Sequence, residues 1–365
     1  MPSDLTDFTI KETELRHFVK TIFTSMGCSQ ADALLATDVL IRADLRGIDS
    51  HGVARLSGYY RLFENNRINP KPNIKIVREK GANFTVDGDS GLGLVVAPKT
   101  MEIAIDKSNH HGSGFGAVRN SNHFGIAAYH ASMALNYDCI GIAMTNASPL
   151  VAPTYSKERM LGTNPICYAI PSKKYPAFIL DMATSAAANG KLEIAERNNK
   201  TVPFGWLEDK QGSDTNLPKD LKEGGSLLPL GSDKDHGSHK GYGLAAVVDI
   251  LSGVLSGANF GPWVPPFVSF LPVQPNLPGL GLGHFIGCMS IDGFEEKDTF
   301  LNKMDIWIER FKGAIPKNDE NKVIIHGEPE FTFENERKLS GIPLNHKVVN
   351  DLTTLAEKLK LDHPF

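Results

Sequence analysis

Four cysteines are all that 365 residues contain (Cys28, Cys139, Cys167 and Cys288), and no two form a Cys-x-x-Cys pair. They are far apart and three sit in apolar company, which points to buried, reduced thiols rather than disulfides or a zinc site. No window reaches the roughly 18 uninterrupted apolar residues of a membrane span. The opening Met-Pro-Ser-Asp-Leu-Thr-Asp has neither a basic patch nor an apolar signal core. A cytoplasmic chain without a membrane partner is expected. The 38 Lys and Arg are outnumbered by 42 Asp and Glu, for a net charge of −4 with no basic run, so no nucleic-acid footprint is present. Neither His-x-x-x-His nor His-Glu-x-x-His occurs, and no metal is expected. A Gly-x-Ser-x-Gly elbow and a Walker-type lysine are missing as well. Ser50-His51 does not suggest a triad, because neighbouring side chains diverge.

What the chain does have is glycine and proline, 34 and 22 residues, alongside 41% apolar and 22% charged residues. That mixture describes a globular α/β protein with many defined turns, long enough for two domains. Leu15, Phe18, Val19, Ile22, Phe23 and Met26 share one face of a helix over 11–26 that ends at Gly27. A second helix runs from Gln30 to Arg46, with Ser29 as N-cap and Ala33, Ala36, Val39 and Leu40 facing inward. A short helix follows over Val53–Glu64. The middle of the chain reads as strands at 74–79, 82–87, 115–119, 139–145, 166–170, 178–183 and 283–291, with helices at 95–111 and 126–136. Residues 208–239 read as a polar excursion and 257–280 as an irregular, proline-rich loop. A helix over 300–315, a strand at 322–325 and helix over 334–362 complete the chain. With helices at both ends, residues 1–115 plus 300–365 are expected as one helix-rich domain, and 116–299 as an inserted second one. Clefts between such domains are where small ligands sit.

Gly112-Ser-Gly-Phe-Gly-Ala117 matches the letters of a dinucleotide fingerprint, but a helix precedes it and a strand follows. The fingerprint requires the reverse, so a Rossmann site is excluded. Thr184-Ser185 follows the strand that ends near Asp181 and would open a helix to about Asn198, a start able to face a phosphate. The same pattern fits a plain N-cap. Lys240-Gly241 marks another helix start. The densest cluster of chemistry lies in Asp44-Leu-Arg-Gly-Ile-Asp-Ser-His-Gly-Val-Ala-Arg55, where a hydroxyl, an imidazole and a guanidinium follow a helix exit. A second histidine, His123, sits in the polar turn Asn120-Ser-Asn-His-Phe-Gly125.

These two stretches, with Met144-Thr-Asn-Ala-Ser-Pro149, Gly162-Thr-Asn-Pro165, Leu180-Asp-Met-Ala-Thr-Ser185 and Lys240-Gly-Tyr-Gly243, resemble the type 2 malate/L-lactate dehydrogenase family. That family includes malate, sulfolactate and ureidoglycolate dehydrogenases and diketogulonate reductases. The resemblance implies a non-Rossmann nicotinamide-binding α/β fold with a mixed sheet, and a homodimer that uses NAD, or NADP, on a 2-hydroxy or 2-oxo acid. It implies His51 as proton donor, with His123 cast in that role in some members. Asp181, Met182, Ala183, Lys240, Gly241, Gly327, Glu328 and Pro329 are implied as cofactor contacts. Arg55 suits a substrate carboxylate, because a guanidinium grips one through two parallel bonds, and Ser148 is expected beside it. Ser50 would orient His51 or relay its proton. Malate is the first expectation and other 2-hydroxy acids the second. Candidates for malate's distal carboxylate are Arg61, Arg46, Arg119 and Lys157. A non-catalytic dinucleotide sensor is the alternative from another class.

Overall fold

The computed structural model describes residues 8–267, 273–318 and 322–365. The part of the proline-rich loop at 268–272 and the N-terminal heptad therefore lie outside the described residues. Strand β1 (Phe8–Ile10) leads into α1 (Glu12–Ser25), α2 (Gln30–Leu45) and, after two 3-10 turns, α3 (Leu56–Glu64). All six apolar residues assigned to one face of α1 and its exit are buried, as are Ala33, Ala36, Val39 and Leu40 of α2. Ser29 Oγ accepts the Asp32 N–H and so caps α2. The layer is completed by chain from the far end. Strand β12 (Ile342–Leu344) pairs antiparallel with β1, and Leu352 and Leu355 of α11 (His346–Leu359) join the same core.

A seven-stranded sheet forms the second layer. Its strands are β2 (Lys75–Lys80), β3 (Asn83–Asp87), β4 (Ser113–Ser121), β5 (Cys139–Thr145), β6 (Ile166–Ile170), β7 (Phe178–Met182) and β11 (Leu282–Ser290). Their order is β2-β3-β4-β11-β5-β6-β7, with β3–β4 parallel and every other pair antiparallel. The sheet therefore draws strands from both of the sequence blocks, and β4 runs across residue 115. One face packs on α4 (Gly93–His111) and α5 (Ala127–Ser132). Glycines bring those helices close: a Cβ at Gly114 would meet Ala104 O at 2.2 Å, and one at Gly141 would meet Ala131 O at 1.9 Å. Gly114 and Gly116 are thus strand glycines, and the fingerprint letters do not open a helix there. The opposite face is only partly covered, and Phe115, Tyr168, Met182, Phe285 and Met289 stay half-buried around Ile142, Met144, Ile166 and Val248. All four cysteines are free and buried. Among the described residues, no helix is long and apolar enough to cross a membrane.

Three segments depart from the sequence reading. Residues 208–239, read as a polar excursion, contain regular structure. Strands β8 (Leu207–Glu208), β9 (Asp214–Thr215) and β10 (Ser226–Leu227) form a small antiparallel sheet with α7 (Lys219–Lys222), over Leu207, Leu221, Leu227, Val151 and Leu161. Two-residue strands are too short to display the alternation that marks a strand. Helix α6 (Asn189–Arg197) starts well after Thr184-Ser185, because Ser185 bridges to Pro229 instead. Residues 322–325 pair with no described strand, and the helix expected over 334–362 is two, α10 (Glu328–Ser340) and α11, separated by β12, because Gly341 ends the first. The remaining helices are α8 (Ser238–Asp249), which passes into a π turn at Ile250–Val254, and α9 (Lys297–Lys312).

Candidate active site

The first half of the site is the exit from α2. Gly47, with φ +75°, ends the helix, and the chain then makes 3-10 turns at Asp49–His51 and Val53–Arg55. Asp44 fixes both turns. Its Oδ2 accepts the Val53 N–H at 2.8 Å, and Gly52 passes so close that a Cβ there would lie 1.9 Å from Asp44 Oδ1. Burial pushes the Asp44 carboxyl well above the usual carboxylate range. Arg337 of α10 donates to the Asp44 carbonyl and the Asp49 carboxylate, so the C-terminal segment braces the same corner. Contrary to the expectation of divergence, the 3-10 turn brings Ser50 Oγ to 2.9 Å from His51 Nδ1. Arg55 Nε donates to Ser50 O at 2.6 Å.

The second half comes off the end of β4. Asn122 Nδ2 donates to the carbonyls of Ser90 (2.9 Å) and Gly91 (3.0 Å) and holds the turn. A Cβ at Gly93 would fall 2.1 Å from Asn122 O and 2.6 Å from His123 O, so the Gly91–Gly93 stretch is what lets this turn seat against α4. Tyr59 of α3 places its hydroxyl 2.6 Å from His123 Nδ1. Burial pushes that phenol far up, so it stays protonated and donates. The neutral His123 ring then carries its proton on Nε2. The His51 and His123 rings stack with centroids 5.7 Å apart and planes 22° apart. Phe267 lies 4.9 Å from the His123 ring and covers it from the loop side. Burial, then the charge of Arg55, lowers His51 to about 4. Burial, followed by His51 and Arg55, holds His123 well below its ordinary range.

Two further histidines stand behind this pair, and nothing in the sequence singled them out. His284 on β11 bonds Thr145 Oγ1 through Nδ1 at 2.8 Å and Ser121 Oγ through Nε2 at 2.7 Å. It also stacks on Phe124 at 4.8 Å. His130 on α5 bonds the Phe124 carbonyl at 2.8 Å. Both are fully buried, and burial lowers them to about 3 and about 4 respectively. Tyr59 and Phe267 were also missed. Both are ordinary core-type residues until folding sets them against a histidine far along the chain.

Asp181, Gly327 and Pro329 come together with Arg46, Ile179 and Glu330 around a cavity of about 300 Å³. Asp181 Oδ2 accepts the Ala128 N–H at the start of α5, 2.8 Å away, and burial raises its carboxyl to about 6. Arg46 Nε is buried without a hydrogen-bond partner. Glu328 is turned toward Lys312 and the Ile325 N–H. Met182 points to the other face of the sheet. Lys240 is exposed on the first turn of α8, and Gly241 packs so that a Cβ would meet Leu230 O at 2.1 Å. Neither lines this cavity, and Ala183 does not either. The Thr184 and Ser185 hydroxyls donate to the carbonyls of Thr163, Asn164 and Ala187, so the expected phosphate-facing helix start is absent. Ser148 Oγ accepts the Phe267 N–H at 3.1 Å and donates to Pro265 O at 3.3 Å, which ties down the loop carrying Phe267. Of the candidate second cations, Arg119 is paired with Asp87 at 3.1 Å, Arg61 is exposed, and Lys157 lines a separate cavity. Among the described residues, no group of three or more His, Cys, Asp or Glu could hold a metal ion.

Comparison with known proteins is consistent across sequence and structure. Residues 10–353 match the model of the malate/L-lactate dehydrogenase family. A malate dehydrogenase of Pyrococcus abyssi is 44% identical over 352 residues, covering 96% of this chain and 94% of the relative. An L-sulfolactate dehydrogenase of Methanocaldococcus jannaschii is 37% identical over 353 residues, covering 97% of this chain and 98% of the relative. The solved structure of malate dehydrogenase from Pyrococcus horikoshii OT3 superposes with a TM-score of 0.89 at 37% identity, covering 99% of this chain and 98% of that one.

Proposed function

Because the chain belongs to the malate/L-lactate dehydrogenase family, we propose that it interconverts malate and oxaloacetate with a nicotinamide cofactor, NAD in preference to NADP. In this reading His51 and His123 handle the C2 oxygen and Arg55 holds the adjoining carboxylate. The observation that carries the proposal is the pair of stacked imidazoles 5.7 Å apart, both held neutral beside a guanidinium.

A neutral imidazole accepts the proton of an alcohol as its carbon is oxidised. Ser50 engages His51 Nδ1 and leaves Nε2 for that proton. Tyr59 fixes His123 as an Nε2–H donor, suited to the developing C2 oxyanion. Arg55 contributes to lowering both histidines. A carboxylate bound to Arg55 screens that charge, so proton affinity at His51 rises when substrate is present. Phe267 keeps water from the His123 ring. When bound, the nicotinamide ring supplies the hydride acceptor or donor. Arg46 and the adjacent Asp181, Gly327 and Pro329, which line one cavity, fit the anionic and ribose parts of such a cofactor. Met182, Ala183, Lys240, Gly241 and Glu328 are assigned to it on family likeness, and Ser148 to the substrate side through its hold on the Phe267 loop. The half-covered face of the sheet, with Phe115 and Phe285 stacked at 5.9 Å, supports a homodimer, and four free thiols support a cytoplasmic location.

The test is a set of initial rates for malate, L-lactate and sulfolactate with NAD and with NADP, for the wild type and for His51→Ala and His123→Ala. Malate with NAD is expected to be fastest, and His51→Ala to lose roughly 100-fold or more in kcat. Near-normal turnover in His51→Ala with none in His123→Ala would transfer the proton to His123. Cofactor binding without turnover on any acid would favour a sensor.

A further inference from the structure

We infer that Arg46 is the phosphate anchor of the bound dinucleotide, an inference that rests on the dehydrogenase reading above. Arg46 closes α2 and is only 8% exposed. Its Nε–H lacks a partner, and its NH1 reaches Glu334 Oε2 at a long 3.3 Å. Glu334 does not need it. Arg42 bonds Glu334 Oε1, and Lys338 Nζ sits 2.7 Å from the same oxygen. Three cations thus share one carboxylate, and the most buried of them, Arg46, has Asp181 as its other acidic neighbour. A buried guanidinium with a free donor is costly unless an anion meets it.

The surroundings favour a nucleotide. Arg46 lines the cavity of about 300 Å³ beside Asp181 and Gly327. It also lines a neighbouring cavity of about 400 Å³ that shares Ala128, Ile179 and Gly327 with the first. An extended ligand can therefore run past it. The 13-residue helix α10 starts at this wall, with Gly327 as an N-cap lacking a side-chain bond, so its N-terminal dipole adds to the attraction. Four carboxyls oppose an anion here, Asp181 and Glu330 in the first cavity and Asp38 and Glu334 in the second. Asp181, raised to about 6 by burial, stays mostly ionised near neutral pH, so an anion on Arg46 must lie on the side of the guanidinium away from it. Its position also suits a ribose hydroxyl, with the phosphate on Arg46.

Two sources could supply the phosphate: the bridging diphosphate, common to NADH and NADPH, or the 2′-phosphate of NADPH alone. Calorimetric titration of wild type, Arg46→Gln and Arg46→Lys with NADH and NADPH separates them. Arg46→Gln should weaken binding roughly 10- to 100-fold, the worth of a charge-assisted hydrogen bond. Loss with both cofactors assigns the diphosphate, and loss with NADPH alone assigns the 2′-phosphate. Unchanged affinity for both cofactors overturns the inference, and leaves Arg46 a purely structural partner of Glu334. That outcome would show as a lower urea midpoint with normal binding. If Arg46→Gln does not fold, Arg46→Lys serves: it keeps the charge, loses the planar fork, and should give a smaller cofactor-induced rise in Tm than the wild type. An equal rise refutes the idea. A wild type that binds neither cofactor would sink the dehydrogenase reading itself, whereas normal wild-type binding with an indifferent Arg46→Gln sinks only this anchor.

Discussion

Tyr59→Phe removes one oxygen and tests how the two-histidine site is held. The hydroxyl lies 2.6 Å from His123 Nδ1, and among the described residues the other hydrogen bond to that nitrogen comes from the Gly125 N–H, at a weak 3.4 Å. Deletion leaves a buried ring nitrogen poorly satisfied. The expected loss is about 1–2 kcal/mol of stability, toward the low end for an orphaned buried acceptor because Gly125 can close in. The same bond holds the proton on Nε2, and removing about 1–1.5 kcal/mol of bias lets the other tautomer compete. With the two tautomers evenly matched, turnover should fall by roughly 2-fold, with KM for malate little changed, because Arg55 is untouched. Urea unfolding gives the first quantity, initial rates the second, and ¹⁵N shifts of the His123 ring the tautomer. A variant with wild-type ring shifts and wild-type kcat would refute the assignment of Tyr59 as the group that orients His123.

Two further outcomes follow from burial and packing. His130 and His284 sit at about 4 and about 3 in the fold against an ordinary 6.5, so the unfolded chain binds their protons first as pH falls. Their contribution is complete above pH 6.5 and declines below it by about 1.4 kcal/mol per pH unit for each. Asp181, raised to about 6, acts in the opposite sense over part of that range. The comparison is therefore with His284→Gln, whose urea stability should depend less steeply on pH between about 4 and 6.5; an unchanged slope would count against it. Gly52→Ala places a Cβ 1.9 Å from Asp44 Oδ1. It should displace the carboxyl from the Val53 N–H, cost about 1–3 kcal/mol and lower activity through the shifted His51 turn. A variant as stable and active as the wild type would mean that Asp44 does not fix the corner.

Much of the scaffold could be read in advance, because long periodic elements announce themselves. The face of α1 from Leu15 to Phe23 is buried as its spacing requires, and the apolar runs of β5 and β6 have the limits expected of them. Short or borrowed patterns misled. Thr184-Ser185 after a strand looks like an N-cap, yet the Thr184 hydroxyl donates to carbonyls of a loop some 20 residues earlier and the Ser185 hydroxyl to Ala187 O. The histidine-bearing stretches stood out because imidazole, hydroxyl and guanidinium are rare together. What orients them did not, because Tyr59 is 64 residues from His123 and Arg337 is 288 from Asp49. Such partners are chosen by tertiary proximity, which no local window contains.

The pairing of β1 with β12 joins Ile10 to Ile342, and this governs the order in which the chain can mature. During synthesis, α1 and α2 emerge with their apolar faces formed, but the strand and the helix α11 that seal them arrive more than 300 residues later. At ordinary elongation rates of about 5–20 residues per second this is roughly 15–65 s. Arg337, which braces the corner bearing His51, is delayed by nearly as long. The helical layer and the site therefore lock together only once β12 and α11 have been made, and a protein truncated before β12 would be left with an open core as well as a slack active site. Conversely, Phe8 at the start of β1 and Phe365 beyond α11 lie side by side, their rings 5.8 Å apart. Joining them through a short linker and reopening the chain elsewhere would turn this late closure into an early, local one.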